Sequence, residues 1–272
     1  MGTILKDLQS HFGMQCMPFT REIPVDKHFR VSFITEAVDA IAQAVGQRMS
    51  AGFIGPAGAG KTAALRHLVS RLPEARYQVH YVNVSDLSKR DMCREIAAVM
   101  GVVPAGSYPM LVRRLQERFL SAARTDGLRP VVFIDDAHTM RPEVLGLLSV
   151  LTNFEMDSRL VVSIILAGQP PLRKMLRREE LEDVAGRLSH VATLRLLSRE
   201  ETRDYIKHRV TVAGGRTVPF DEQAQEAIYE TGRGNMRATD GVCLKALELA
   251  HKSGARVADA NHVLEARKLI WP

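Results

Sequence analysis

Two kinds of hydrophobic pattern alternate along the first two-thirds of the chain. Short unbroken apolar runs at Ala51-Gly-Phe-Ile54, Pro130-Val-Val-Phe-Ile-Asp-Asp136 and Leu160-Val-Val-Ser-Ile-Ile-Leu-Ala167 predict buried strands, and Tyr77-Gln-Val-His-Tyr-Val-Asn-Val84 predicts another. Between them, apolar residues at helical spacing predict helices over Thr62 to Val69, Ser88 to Met100, Tyr108 to Ala123 and Pro142 to Phe154. Strands that are apolar on both faces and separated by helices imply a parallel sheet covered on two sides, an α/β fold in three αβα layers. From Ser198 the pattern turns wholly helical, opening on Ser198-Arg-Glu-Glu201, which fits a capping box. The expected organisation is an N-terminal extension over 1–30, an α/β domain over 31–197, and a small all-helical domain with its tail over 198–272.

The first turn between strand and helix carries the most informative chemistry. Gly55, Pro56, Ala57, Gly58, Ala59, Gly60, Lys61 and Thr62, followed by Ala63, make a complete G-x-x-x-x-G-K-[ST] phosphate-binding loop. Its glycines permit backbone angles closed to other residues, so that successive N–H groups can turn inward around phosphates. Lys61 is expected to reach the β- and γ-phosphates of ATP and Thr62 to ligate Mg²⁺, while the following helix directs its positive end at the anion. Further on, Val131 to Ile134 bury a strand that delivers Asp135 and Asp136 to its C-terminal end, a Walker B pattern. Asp135 is the candidate for holding Mg²⁺ through water, and Asp136 the candidate general base, although it is a methylene shorter than the Glu more often found there. His138 either orients Asp136 or makes an incidental polar contact. Gln169, after the strand ending at Ala167, either senses the γ-phosphate or belongs to a strand-ending turn.

Composition narrows the setting. The chain has 272 residues, 46% of them hydrophobic, enough for a substantial core. Its longest apolar run, Leu160 to Gly168, is far short of the roughly 18 residues a membrane span needs, and neither a secretory signal nor a lipidation site is legible, so a cytoplasmic location without membrane contact is expected. The three cysteines are scattered and the nine histidines form no pair at metal-ligand spacing, which indicates neither a disulfide framework nor a zinc site. A formal charge of +6 favours a polyanionic partner.

Taken in order, Phe12-Gly13 with Pro18-Phe19, Gly55 to Thr62, Phe133-Ile-Asp-Asp-Ala-His138, Leu151-Thr-Asn153, Gly168-Gln-Pro170, Tyr205-Ile-Lys-His-Arg209 and Gly234-Asn-Met-Arg237 resemble AAA+ ATPases of the ExeA-like group, which includes transposition regulators of the TnsC and TniB type. The resemblance implies a P-loop αβα domain with a helical lid. It makes Gln169 the sensor 1 residue, Arg237 the lid arginine of sensor 2, and Arg187 the arginine that reaches a neighbouring subunit's nucleotide. Two positions depart from the family's habit: Gly186 stands where a Gln usually precedes the arginine, and Met236 where a Pro usually precedes sensor 2.

Between the second strand and Walker B, Lys89, Arg90, Arg94, Arg113, Arg114 and Arg118 outnumber Asp91, Glu95 and Glu117, with no aromatic platform among them. Such a surface suits salt-sensitive contact with duplex phosphates better than base readout. In the transposition ATPases this region lines a ring or helical filament around DNA. A second cluster, Arg173, Lys174, Arg177 and Arg178, suits either DNA or an intersubunit surface. The leading expectation is a transposition regulator that self-associates on double-stranded DNA with ATP, engages a transposase and a targeting adaptor, and disassembles on hydrolysis. The alternatives are an ExeA-like secretion-associated ATPase, expected to continue into a membrane span and a cell-wall module, and a helicase-loader or initiator-like ATPase.

Overall fold

A computed structural model describes residues 2–83, 86–104 and 106–270. In chain order the elements are α1 (Gly2–His11), α2 (Ser32–Gly46), β1 (Ser50–Ile54), α3 (Lys61–Ser70), β2 (Tyr77–Asn83), α4 (Lys89–Val99), α5 (Tyr108–Arg124), β3 (Arg129–Asp135), α6 (Pro142–Thr152), β4 (Ser163–Gly168), α7 (Pro171–Leu176), α8 (Glu182–Gly186), β5 (Leu188–Thr193), α9 (Arg199–Val212), α10 (Glu222–Gly232), α11 (Met236–Lys252) and α12 (Ala260–Ile270). Val84, the expected last residue of the second strand, lies outside the described residues. The chain divides into two compact units. One comprises Ser32–Pro56 and Gly60–Leu194; the other comprises Met1–Val31, Ala57–Ala59 and Arg195–Pro272.

The first unit is built on a parallel five-stranded sheet in the order β2-β3-β4-β1-β5. The central strands β1 and β4 are buried along their whole length, as their apolar runs require. Along β3 the pleat alternates: Val132 and Ile134 join a core with Ile54, Ile164 and Leu166 under α4, α5 and α6, while α2 and α3 pack together elsewhere on the sheet. Because β4 is inserted between β1 and β3, the segment after β4 emerges between the phosphate loop and Walker B. The edge strand β5 was not expected from the sequence; apart from the buried Ala192 its residues are half-buried or exposed, with Ser189, His190 and Thr193 breaking the apolar run that marks the other strands.

The second unit is helical, and residues of the N-terminal extension over 1–30 share its core. Leu8, Met14 and Phe19 are buried with Ile206, Val210, Ile228, Val242, Leu247 and Val263, and the backbone N–H of Gln15 donates to Ala213 O at 2.8 Å. Short apolar stretches such as Phe12 and Met17-Pro-Phe19 carried no periodicity from which to read this docking. A buried ionic network ties the parts together. Arg209, 7% exposed, donates to Asp240 at 3.0 Å, to the Tyr205 hydroxyl at 2.8 Å and to the backbone oxygen of Thr20; the Tyr205 hydroxyl donates to Asp240 at 2.8 Å. The capping box at α9 is formed: Ser198 Oγ accepts from the Glu201 N–H at 3.1 Å and Glu201 accepts from the Ser198 N–H at 2.7 Å. Arg195 pairs with the same carboxylate, and with the Ser198 N–H holds its pKa down to about 2.

Two stability measurements follow from this unit. Removing the guanidinium in Arg209→Ala leaves Asp240 buried without its countercharge, so urea denaturation should show a loss of about 3–5 kcal/mol; an unchanged midpoint would mean the network contributes nothing. For Glu201→Ala a smaller loss of about 1 kcal/mol is expected near neutral pH. Because the folded pKa is depressed, the Glu201 contribution is present above the ordinary value of 4.5 and fades as pH falls toward about 2, so the two proteins should converge in acid.

Candidate functional site

The loop after β1 has the backbone the glycine pattern calls for. Gly58 and Gly60 sit at φ 73° and 86°, and Gly60 caps α3 in the left-handed region. A Cβ on Gly58 would overlap the side chain of Asn235, so glycine is required there on two counts. Asn235 is the N-cap of α11: its Oδ1 accepts from the Ala238 N–H at 3.1 Å, and its Nδ2 donates to Ala57 O at 3.0 Å. Lys61 is 8% exposed and donates to Gly55 O and Pro56 O, both at 2.9 Å, so the buried ammonium is held within its own loop.

At the C-terminal end of β3, Asp135 is 5% exposed and surrounded by donors. Thr62 Oγ1 donates to its Oδ2 at 3.0 Å, the Tyr81 hydroxyl to the same oxygen at 3.2 Å, and the Asp136 N–H to Oδ1 at 2.9 Å. Tyr81 was missed by sequence reading. It lies two residues before Asn83, whose strand partner is Asp135, and strand alternation is the signal that would have found it. Burial, then the charge of Asp135, pushes the phenol up to about 12, so it acts as a donor at neutral pH. Thr62 and Asp135 together present hard oxygen ligands of the kind Mg²⁺ takes, and Lys61 with the N-terminus of α3 suits a polyphosphate. The residues present therefore fit ATP and Mg²⁺.

Asp136 occupies the left-handed region at φ 52°, ψ 31°, an uncommon conformation for a residue with a side chain and one that clusters at functional sites. Its side chain is more than half exposed, and His138 Nδ1 is 3.7 Å from its Oδ1. Gln169, directly after β4, lies with its Nε2 2.8 Å from His138 Nε2. Asp135, Asp136, His138 and Gln169 are thus brought to one edge of the sheet with Lys61 and Thr62.

The arginines stand differently. Arg187 follows α8 and is paired with Asp157 of its own chain. Arg237 is an exposed residue in the first turn of α11. Among the residues expected to meet DNA, Lys89 and Arg90 are exposed at the start of α4, with Arg90 donating to Gly106 O at 3.1 Å. Arg94 pairs with Asp91 at 3.3 Å, Arg113 with Glu117 at 3.0 Å, and Arg114 donates to Val103 O at 3.4 Å. The basic excess is therefore partly compensated within the two helices. No helix among the described residues is long and apolar enough to cross a membrane.

A parallel sheet in this order, with a phosphate loop after β1 and paired acids after β3, is the fold of a P-loop domain of the AAA type, and residues 46–176 match the family described as the AAA domain. The chain is similar to the general secretion pathway protein A of Aeromonas hydrophila, with 30% identity over 203 residues. That alignment covers 74% of this chain and 37% of the relative, so the chain spans little more than a third of that protein's length. The fold is that of Cdc6p from Pyrobaculum aerophilum (TM-score 0.76, 16% identity, covering 93% of this chain and 70% of that one) and of the Aeropyrum pernix ORC1 protein in complex with DNA (0.66, 19%, 98% and 69%). The three-layer αβα architecture with a helical region after it is as the sequence led us to expect.

Replacing Lys61 by Ala removes the cation that would meet the phosphates, and two lost charge-assisted hydrogen bonds correspond to a weakening of nucleotide binding on the order of 100-fold or more. Titration of a fluorescent ATP analogue checks this; affinity within about two-fold of the parent would remove Lys61 from the site.

Proposed function

We propose that this protein is an ATP-hydrolysing switch whose nucleotide state governs self-association. The observation that carries the reading is the convergence of Thr62 Oγ1 and the buried Asp135 carboxylate, 3.0 Å apart, beside a loop that already holds Lys61 in place. In this reading Gly55 to Ala63 cradle the phosphates through backbone N–H groups, and Lys61 neutralises the β- and γ-oxygens. Mg²⁺, held by Thr62 and through water by Asp135, would polarise the phosphate oxygens. Asp136 takes the proton of the attacking water, Gln169 orients toward the γ-phosphate, and Arg237 acts as the lid arginine. Arg187 must leave Asp157 to reach a neighbouring subunit, which makes turnover depend on assembly. The short Asp136 side chain favours slow hydrolysis.

Two partner classes have support. Similarity to the Aeromonas hydrophila secretion protein favours an ExeA-like ATPase that works with other proteins. The initiator-like fold, the charge of +6 and exposed Lys89 and Arg90 favour an ATPase that assembles on double-stranded DNA. A transposition regulator acting with a transposase and an adaptor is a narrower form of the DNA reading, and the comparisons lend more weight to the ExeA-like and initiator-like forms.

Anisotropy of a labelled duplex, titrated without nucleotide, with ADP and with a non-hydrolysable ATP analogue at two salt concentrations, separates the partner classes. Cooperative, salt-sensitive binding only with the ATP analogue is expected for the DNA-assembling switch; no duplex binding in any state would leave the ExeA-like protein-directed reading. Turnover by Arg187→Ala should fall by about 10³-fold or more while nucleotide affinity is kept. Normal hydrolysis by that variant would rule out the trans-acting arginine.

A further inference from the structure

His138 is placed between two groups whose roles are otherwise separate. The short turn 137–139 that carries it begins at Asp136, where the Thr139 N–H and hydroxyl both donate to Asp136 O at 2.9 Å. The turn lies against the end of β4 because Gly168 has no side chain: a Cβ there would come within 3.2 Å of the His138 backbone nitrogen and 2.8 Å of Leu172. The imidazole is thereby fixed beside Gln169, its side chain 14% exposed.

The hydrogen bonding then selects a tautomer. With the Gln169 amide turned so that Nε2 lies 2.8 Å from His138 Nε2, the amide nitrogen can only donate; in this orientation the His138 Nε2 is the acceptor and the neutral ring carries its proton on Nδ1. That Nδ1 is buried and has no hydrogen-bond partner among the described residues. The Asp136 carboxylate stands 3.7 Å away, slightly beyond bonding distance, on a residue held in the left-handed region. A buried donor left unsatisfied beside a carboxylate is a contact poised to close.

We propose that His138 is a positioning residue that couples Gln169 to Asp136. While the Gln169 amide donates to Nε2, the ring presents Nδ1–H to Asp136 and a small rotation of the carboxylate completes the bond, fixing the orientation of the acid. When Gln169 turns away, the tautomer is no longer enforced and the hold on Asp136 relaxes, so the two ends of the network respond to each other through one ring. The proposal deepens the ATPase reading and rests on it for its consequence in turnover, but the coupling is a property of the nucleotide-free protein too.

Nitrogen-15 NMR of the imidazoles, with His138 assigned by its absence in His138→Asn, reads the tautomer directly without nucleotide. A protonated Nδ1 with a bare Nε2 is expected in the parent, shifting toward the Nε2–H form in Gln169→Ala. An Nε2–H ring in the parent, or no change on losing Gln169, would overturn the proposal. In hydrolysis assays His138→Ala should lower kcat about 10-fold or more with nucleotide affinity and KM kept. His138→Asn, which retains a donor near the Nδ1 position, should recover much of this, and the double variant with Gln169→Ala should lose no more than the worse single variant. Additive losses, or a loss in affinity instead of kcat, would also overturn it. Absence of hydrolysis in the parent protein would sink the ATPase reading alone, since the tautomer measurement stands apart from turnover.

Discussion

A carboxylate buried at the end of a parallel strand has lost most of its water and is stable only where donors replace it. Asp135 has three: the Thr62 hydroxyl, the Tyr81 hydroxyl and the Asp136 N–H. Each comes from a different place in the chain, and each fixes part of the molecule. Thr62 ties the first turn of α3 to β3 across the intervening β4. Tyr81 brings in the neighbouring strand β2. The Asp136 N–H requires the sharp left-handed turn that carries the second acid. Of these donors the Thr62 hydroxyl is also an oxygen that, together with the Asp135 carboxylate, fits Mg²⁺, so structural and chemical demands fall on one pair of groups.

The sheet order makes that arrangement possible. With β4 between β1 and β3, the loop after β1, the acids after β3 and the amide after β4 open at the same edge. Glycine appears where a neighbouring group leaves no room for a Cβ, at Gly58 against the Asn235 side chain and at Gly168 against Leu172 and the His138 turn. In the helical unit a different demand governs. There the Arg209, Asp240 and Tyr205 network draws in the backbone of Thr20, so the N-terminal residues are held by a charge-assisted hydrogen bond as well as by Leu8, Met14 and Phe19 in the core.

The charged surface shows how sequence counting and geometry part company. Counted along the chain, α4 and α5 carry an excess of arginine. Folded, Arg94 and Arg113 face acids one helical turn away, and Arg90 and Arg114 reach backbone oxygens. Lys89, Arg90, Arg94 and Arg113 nonetheless stay exposed. Arg187 shows the same effect, since the partner it has within the chain, Asp157, is thirty residues earlier and invisible to any local pattern.

What the sequence determined by itself was whatever depends on neighbours in the chain. The phosphate loop, the apolar strands, the acids closing β3 and the Ser198 to Glu201 cap are local patterns, because glycine angles, strand burial and capping are set within a few residues. The tertiary structure alone decided which distant groups meet. It gave the polar edge strand β5 its place, joined the N-terminal segment to the last helices, put Tyr81 on Asp135, and brought Gln169 to His138. Those contacts arise from strand order and packing, which bring together residues far apart in the chain, and no spacing of residue types along it records them.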